Sequence, residues 1–264
     1  MNDLTKTEEN KRKNLLQRIP KWLLPIVIIV GAAILFLVAQ YASTIILSIY
    51  AVIRGWNQTQ ANNWLNTSIT AQFFFVLMAE AFTVGLIYLV LKYFKHSLRD
   101  VGLVMPRLKD GGLALIAYPI YFVVFLIVIT LATHLIPSLN INQTQHIGFN
   151  SVHGTYQLTL TFFSLVIFPP IAEELLFRGV IFEGLKKSMP VVFAGLLTSI
   201  IFASAHLPEG GSSGPLWAGA LDIFTLSLVL VYLKQKTKSL WPGIFLHALK
   251  NLVAFISLFL LTNR

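Results

Sequence analysis

The chain has 264 residues, of which 56% are hydrophobic and only 12% are charged, about half the charged share of an ordinary soluble domain. This composition argues against a soluble globular domain and excludes an intrinsically disordered one, because so apolar a chain can bury ample surface. With no cysteine there is no disulfide, no thiolate metal site and no cysteine nucleophile, so any chemistry must use carboxylates, imidazoles or hydroxyls.

The formal charge of +9 would suggest a nucleic-acid partner in a soluble protein, but here the basic residues cluster in short connections between apolar runs. In that position they indicate orientation in a membrane, since Lys and Arg accumulate on the cytoplasmic side. We therefore expect the lipid bilayer to be a partner of this chain, and we expect no nucleic acid.

Apolar runs long enough to cross a bilayer, about 20 residues each, recur along the chain. We predict an all-α, polytopic transmembrane helix bundle with about seven or eight spans. The predicted spans cover residues 22–53, 69–91, 112–136, 156–182, 191–206, 216–233 and 240–261. The first is too long for a simple crossing, and we expect it to stay as an anchor rather than to be removed as a signal peptide.

Basic residues cluster in every second connection between the predicted spans. The connections 55–68, 137–155 and 207–215 contain no Lys or Arg, whereas the N-terminal tail and the intervening connections carry several each. This alternation places the N-terminus in the cytoplasm of a multi-pass cell-membrane protein. With seven spans the C-terminus lies outside the cell, and an eighth crossing would place it in the cytoplasm.

Ionisable and polar residues inside the predicted spans are concentrated in the second half of the chain. A charge at mid-membrane costs about 2.5 to 3.5 kcal/mol, so each such residue is a functional candidate with a partner to be found. The candidates are Glu173, Glu174, Arg178, His206, Asp222, His247, Lys250 and Asn251. Glu80 in the second span stands apart, as a partner for Arg178, a polar lining of the site or a helix-packing group.

The run from Glu173 to Arg178 follows Pro169 and Pro170, which predict a fresh helical segment. Arg178 lies four residues after Glu174, the spacing at which helix side chains meet, so these two are expected to pair. Neighbouring helix positions point about 100° apart, which leaves Glu173 without a local counter-ion and suited to act as a general base on water. Alternatively, both glutamates are structural partners of basic residues elsewhere.

Two further pairs are spaced one helical turn apart, Phe202 with His206 and His247 with Asn251. Each histidine alone is more typical of a hydrogen-bonded structural residue. Counted at 1.5 Å per residue from the inner boundary, Glu173 and His206 lie roughly 22 and 25 Å deep, and His247 and Asn251 roughly 10 and 16 Å. Helix tilt or a kink would close this difference, so we expect a carboxylate, two imidazoles and an amide to converge, a set suited to hydrolysis.

These three motifs, in this order on successive helices, resemble those of the CPBP family, also called Abi or type II CAAX-prenyl-protease-like proteins. The resemblance covers roughly residues 168–254 and implies an intramembrane endopeptidase fold, with helices around a conical catalytic cavity. The motifs are Glu173-Glu174-x-x-x-Arg178, Phe202-x-x-x-His206 and His247-x-x-x-Asn251.

The resemblance also implies a role for each motif residue. Glu173 and His206 would activate the attacking water, while His247 and Asn251 would stabilise the oxyanion. Glu174 and Arg178 would hold the site together. The chain then divides into a basic cytoplasmic tail over 1–21, transmembrane helices without a recognised motif over 22–155, and a CPBP-like catalytic region over 156–264.

The substrate implied by the resemblance is a peptide or a membrane protein, including lipidated ones. In the eukaryotic branch the substrate is a prenylated CAAX protein, and bacterial members are associated with bacteriocin self-immunity or peptide maturation. A non-catalytic immunity or binding protein and a small proton-coupled transporter are the alternatives, although the chain shows no paired halves of the kind that transporters have. The sequence indicates no oligomeric state and no role for Asp222 or Lys250.

A metal is the remaining question at this site. Glu173, His206 and His247 form an acceptable ligand set for catalytic zinc. The His-Glu-x-x-His helix that places two ligands on one face is absent. The sequence therefore favours a metal-free glutamate mechanism, with a zinc-dependent one as the alternative.

Overall fold

The computed structural model describes residues 19–143, 145–149 and 152–261, and all regular structure in these ranges is helical. The predicted all-α class is therefore confirmed. Residues 1–18 of the predicted basic tail and residues 262–264 at the other end lie outside the described residues.

Eight helices organise the described part of the chain. They are α1 (Leu24–Ile53), α2 (Gln58–Thr67), α3 (Ile69–Tyr93), α4 (Leu108–Leu135), α5 (Gly154–Leu185), α6 (Val191–Ala205), α7 (Trp217–Thr237) and α8 (Trp241–Leu261), with a 3₁₀ turn over Leu207–Ser213 between α6 and α7.

Six of these helices, all except α2 and α6, are long and apolar enough to cross a membrane. The chain is thus a multi-pass membrane protein, and the predicted count of seven or eight spans is approximate. The difference lies at the fifth predicted span, because α6 has 15 residues and is capped by His206. At 1.5 Å per residue such a helix is about 22 Å long, shorter than the hydrocarbon core of about 30 Å.

The short helix α2 occupies a connection for which no element was predicted. It begins with a capping box in which the Asn57 side chain accepts from the Gln60 backbone N–H at 2.9 Å, while Gln60 Oε1 accepts from the Asn57 N–H at 3.0 Å. Each bond satisfies a backbone donor that the first helical turn leaves unpaired. The signal was present in the sequence, but a search for apolar runs does not detect a polar helix.

Helix α5 becomes π-helical in two places. Two π-helical stretches, Phe163–Ile167 and Leu175–Phe182, flank an α-helical segment over Phe168–Glu174 that carries Pro169 and Pro170 near its start. Prolines have no backbone N–H, so the regular hydrogen-bond pattern cannot run through this pair. An α-helical segment does begin at Phe168, but it continues the same helix through the preceding π stretch and is not a separate helix as predicted.

Helix α5 lies in the interior of the bundle. It contacts α1, α3, α6, α7 and α8, and half of its spanning window is buried inside the protein, compared with 17% for α1, α3 and α4. Side chains of α5 and α6, among them Leu175, Phe182 and Phe202, are fully buried in one core. The polar residues Ser164, Glu174 and Arg178 on α5 are therefore shielded from lipid by protein.

Candidate active site

Arg178 joins three helices at the centre of the bundle. Its fully buried guanidinium donates through Nη1 to Glu174 Oε1 at 2.8 Å and through Nη2 to Ser227 Oγ on α7 at 2.7 Å. Its Cζ atom lies 4.4 Å from the ring centroid of Phe202 on α6, a cation–π distance. The predicted Glu174–Arg178 pair is present, and it ties α5 to α6 and α7.

One imidazole from α8 faces both glutamates. His247 is buried, its Nδ1 donates to Glu174 Oε1 at 3.3 Å, and its Nε2 lies 3.8 Å from Glu173 Oε2. Gly243, one turn earlier, allows this approach, since a Cβ atom there would lie 3.0 Å from Glu174 Oε2. The structure thus brings His247 level with the two glutamates, which closes the difference in depth that the residue count gives.

Glu173 keeps one carboxylate oxygen without a hydrogen bond. Its Oε2 atom is buried and has no hydrogen-bond partner in the part of the chain that the structure describes, although the side chain as a whole is 22% exposed. Its electrostatic neighbours include His206, Glu80 and Glu174. A buried acceptor left unpaired is costly, which marks it as a site that takes up a donor such as water.

His206 is held in one orientation at the end of α6. Its Nδ1 lies 2.8 Å from the backbone oxygen of Phe202, and since a carbonyl only accepts, this nitrogen is the donor. In the neutral ring Nε2 is then the acceptor. The ring also packs edge-on against the Phe202 ring, with centroids 4.9 Å apart. The motif spacing of four residues therefore fixes the tautomer of His206.

Asn251 makes a contact that the prediction did not include. Its Nδ2 donates to the backbone oxygen of Leu165 at 2.9 Å. In an α-helix that oxygen would accept from residue 169 and in a π-helix from residue 170, and both are prolines. The amide therefore supplies the donor that the proline pair removes, and it fixes α8 against α5.

The two residues without a predicted role pair with each other. Lys250 Nζ lies 3.3 Å from Asp222 Oδ2, and the Tyr121 hydroxyl on α4 donates to Asp222 Oδ1. Glu80 is not the ion-pair partner of Arg178, whose carboxylate partner is Glu174. Sequence reasoning also missed Tyr121, Ser227 and Gly243, because no charge or motif distinguishes them from ordinary helix residues.

The proposed zinc ligands do not form a metal-binding group in this geometry. Among the residues that the structure covers, no three His, Asp or Glu side chains converge in a way that could hold a metal ion. In this arrangement Glu173, His206 and His247 do not fit as a set of zinc ligands.

Part of the chain is similar in sequence to a known protein family. Residues 155–253 match the family described as type II CAAX prenyl endopeptidase Rce1-like. A protein of Bacillus subtilis (strain 168) named "Putative membrane peptidase YdiL" is 32% identical over 83 residues, 31% of this chain and 30% of that protein. The similarity thus spans less than a third of that relative. No solved structure matches the chain.

These similarities confirm the recognition of the CPBP family, for the region that holds all three motifs. The matched range begins in α5 and ends in α8, so it contains the glutamate pair, Arg178, both histidines and Asn251. Residues 155–253 are thus similar to a family described as type II CAAX prenyl endopeptidases.

Proposed function

We propose that this protein is an intramembrane endopeptidase that cleaves a peptide bond by direct attack of water, with no covalent intermediate. The observation that carries the proposal is the unpaired, buried Glu173 Oε2, 3.8 Å from His247 Nε2, within the family-matched region. A carboxylate in such a position accepts a proton from water, and the resulting hydroxide attacks the peptide carbonyl.

The two histidines take different parts in this mechanism. His206 Nε2, the acceptor nitrogen of a ring locked by the Phe202 carbonyl, orients the water or exchanges its proton. His247 Nδ1 donates to Glu174, so Nε2 can donate to an oxyanion when the ring is protonated. A cation placed where negative charge develops stabilises the tetrahedral intermediate. One amide N–H of Asn251 donates to the Leu165 oxygen, and the second N–H can donate to the oxyanion.

The buried pair of Glu174 and Arg178 positions this machinery rather than reacting. Glu174 Oε1 contacts both the guanidinium and His247, so it fixes the imidazole relative to α5. The Arg178 bond to Ser227 extends the same network to α7. Such a network holds the reacting groups within the narrow geometry that catalysis requires.

The proposed setting is the cell membrane, with the N-terminus in the cytoplasm and a peptide or membrane-protein substrate. Lipidated CAAX-type substrates, peptide maturation and bacteriocin self-immunity are all compatible with an intramembrane site. A metal-free mechanism is part of the proposal, because Glu173 and His206 already provide a base and a proton-transfer group.

The test is cleavage of defined probes by the full-length protein in detergent. The probes are an internally quenched farnesylated CAAX peptide, its unprenylated twin and a bacteriocin-leader peptide, each with and without a chelator. We expect Glu173→Gln to lower the cleavage rate by about 100-fold or more while the protein remains folded. Asp100→Asn, the same carboxyl-to-amide change in an exposed connection, is the matched control and keeps full activity.

Two outcomes would contradict the proposal. The first is no cleavage of any probe by the unaltered protein, and the second is equal cleavage by the Glu173→Gln variant. If that variant still protects cells from a bacteriocin, a binding role is favoured over catalysis. Loss of activity on adding the chelator would overturn the metal-free mechanism but not the peptidase activity.

A further inference from the structure

A second cluster of polar side chains crosses the bundle beside the proposed site. Lys250 on α8 pairs with Asp222 on α7 at 3.3 Å, and Asp222 accepts a hydrogen bond from the buried Tyr121 on α4. The two charged side chains are only 17% and 19% exposed. Inside a membrane such a pair is costly to build, and nothing in the mechanism above uses it.

Lys250 lies on the same helix as His247, the residue that faces the proposed base. Lys250 follows His247 by three residues on α8, the spacing of one helical turn, and the two side chains interact electrostatically. His247 Nε2 in turn lies 3.8 Å from Glu173 Oε2, which has no hydrogen-bond partner among the residues that the structure describes. A lysine ammonium sits on a long flexible stem, and attraction between opposite charges is strong away from water.

We propose that Asp222, oriented by Tyr121, holds the Lys250 ammonium away from Glu173 and so keeps that carboxylate available to water. Asp222 and Tyr121 are then positioning residues that act through Lys250. If Lys250 were released, it would pair with the open oxygen of Glu173, which would displace the water and weaken the base. This inference rests on the proposed function of Glu173.

A purely structural strut between α4, α7 and α8 is the competing interpretation. A strut also predicts that removing both partners restores stability, because no uncompensated charge is left in the bundle. It ties any loss of rate to a loss of stability, whereas charge sequestration predicts slow cleavage by Asp222→Asn protein that remains folded. The two interpretations therefore differ in whether the rate falls without loss of stability, and in whether Lys250 moves to Glu173.

The activity test uses Asp222→Asn, Lys250→Met and the double variant with the farnesylated peptide probe. We expect Asp222→Asn to lose about 100-fold in rate, as for loss of a general base. The double variant should return to within about threefold of Lys250→Met, a strong positive coupling. A double variant as slow as Asp222→Asn, or an Asp222→Asn variant of normal rate, would overturn the inference.

A second measurement does not depend on activity. A membrane-permeant carbodiimide joins a lysine amine to a carboxylate in contact with it, and mass spectrometry identifies the linked residues. We expect a Lys250–Asp222 link in the unaltered protein and a Lys250–Glu173 link in Asp222→Asn, which disappears in Asp222→Asn with Glu173→Gln. Absence of the Lys250–Glu173 link from the folded Asp222→Asn protein would overturn the inference, whether or not any probe is cleaved.

Tyr121→Phe provides the same test if Asp222→Asn does not fold. It keeps both charges and removes one hydrogen bond to Asp222. We expect a smaller loss of rate that Lys250→Met reverses, with a partial Lys250–Glu173 link. A loss that Lys250→Met leaves unchanged would support the strut instead. Normal probe cleavage by Glu173→Gln would contradict the proposed function itself. The cross-link pattern does not depend on cleavage, so it tests this inference separately.

Discussion

At the scale of single residues, the site depends on the contacts of one buried cation. Arg178 is fully buried, and it contacts Glu174, Ser227 and the Phe202 ring. Arginine suits this position because its planar group can bond two acceptors and stack on an aromatic ring at once. The stability of the bundle and the geometry of the site therefore share one side chain.

Removing that cation should destabilise the protein strongly. We expect Arg178→Met to cost about 3 to 5 kcal/mol, because Glu174 would remain buried without its charge partner. Thermal unfolding in detergent measures the effect. The double variant Arg178→Met with Glu174→Gln should recover much of the loss, since no uncompensated charge is left. A double variant less stable than Arg178→Met would contradict this account of the pair.

A glycine on α8 sets the distance between the helix and Glu174. An added methyl group at Gly243 would lie 3.0 Å from Glu174 Oε2, so Gly243→Ala should shift the carboxylate that positions His247. We expect a fall in peptide cleavage of about 10-fold, since small displacements of reacting groups are costly. The matched control is Gly85→Ala in α3, where a Cβ atom meets nothing within 4 Å and activity should not change. Equal activity of the two variants would show that this close approach is unimportant.

At the scale of helices, the proline pair and Asn251 form one unit. Pro169 and Pro170 leave the Leu165 carbonyl without a backbone donor, and the Asn251 amide supplies one from the neighbouring helix. A motif residue for which the family resemblance implies oxyanion stabilisation thus also has a structural task. Restoring the backbone N–H at position 169 would separate the structural task of Asn251 from its proposed task at the oxyanion.

A double-mutant cycle tests this unit. Asn251→Ala should cost about 1 to 3 kcal/mol of stability, the usual effect of leaving a buried carbonyl unpaired. Pro169→Ala returns a backbone N–H to the position that Leu165 requires, so Asn251→Ala should cost clearly less stability in that background. If Asn251 also contacts the oxyanion, the cleavage rate of Asn251→Ala should stay low both with and without Pro169→Ala. Equal stability costs in the two backgrounds would contradict the assigned partner.

Prediction from sequence worked where the physical signal is local. Hydropathy located the apolar helices, and the four-residue spacing gave the Glu174–Arg178 pair, because both signals lie within one segment. The π stretches of α5 and the bond from Asn251 to Leu165 were not predicted. They depend on how a helix accommodates missing donors and how it is rotated toward its neighbour. The same reason applies to Tyr121, which meets Asp222 from a separate helix.

At the scale of the whole molecule, helix α6 links the charge alternation to the position of His206. The helix has 15 residues and is about 22 Å long, and the chain turns back directly after it, because the Leu216 N–H donates to the Leu207 oxygen at 2.9 Å. The connections at the two ends of α6 differ in charge, because Lys186 and Lys187 precede the helix and no basic residue lies in 207–215. We therefore expect α6 to cross the membrane and to place His206 near the outer side.

The absence of native cysteine makes this topology directly testable. Single cysteines at the exposed positions Lys187 and Ser212 would be probed in intact cells with a membrane-impermeant maleimide. We expect Ser212→Cys to react in intact cells and Lys187→Cys to react only after the membrane is permeabilised, as the distribution of Lys and Arg requires. Ser97→Cys and Asn62→Cys, in the connections that flank α3, serve as inside and outside references. If the cysteines at 187 and 212 label from the same side, α6 does not cross, and the depth that brings His206 level with Glu173 must arise from a re-entrant path.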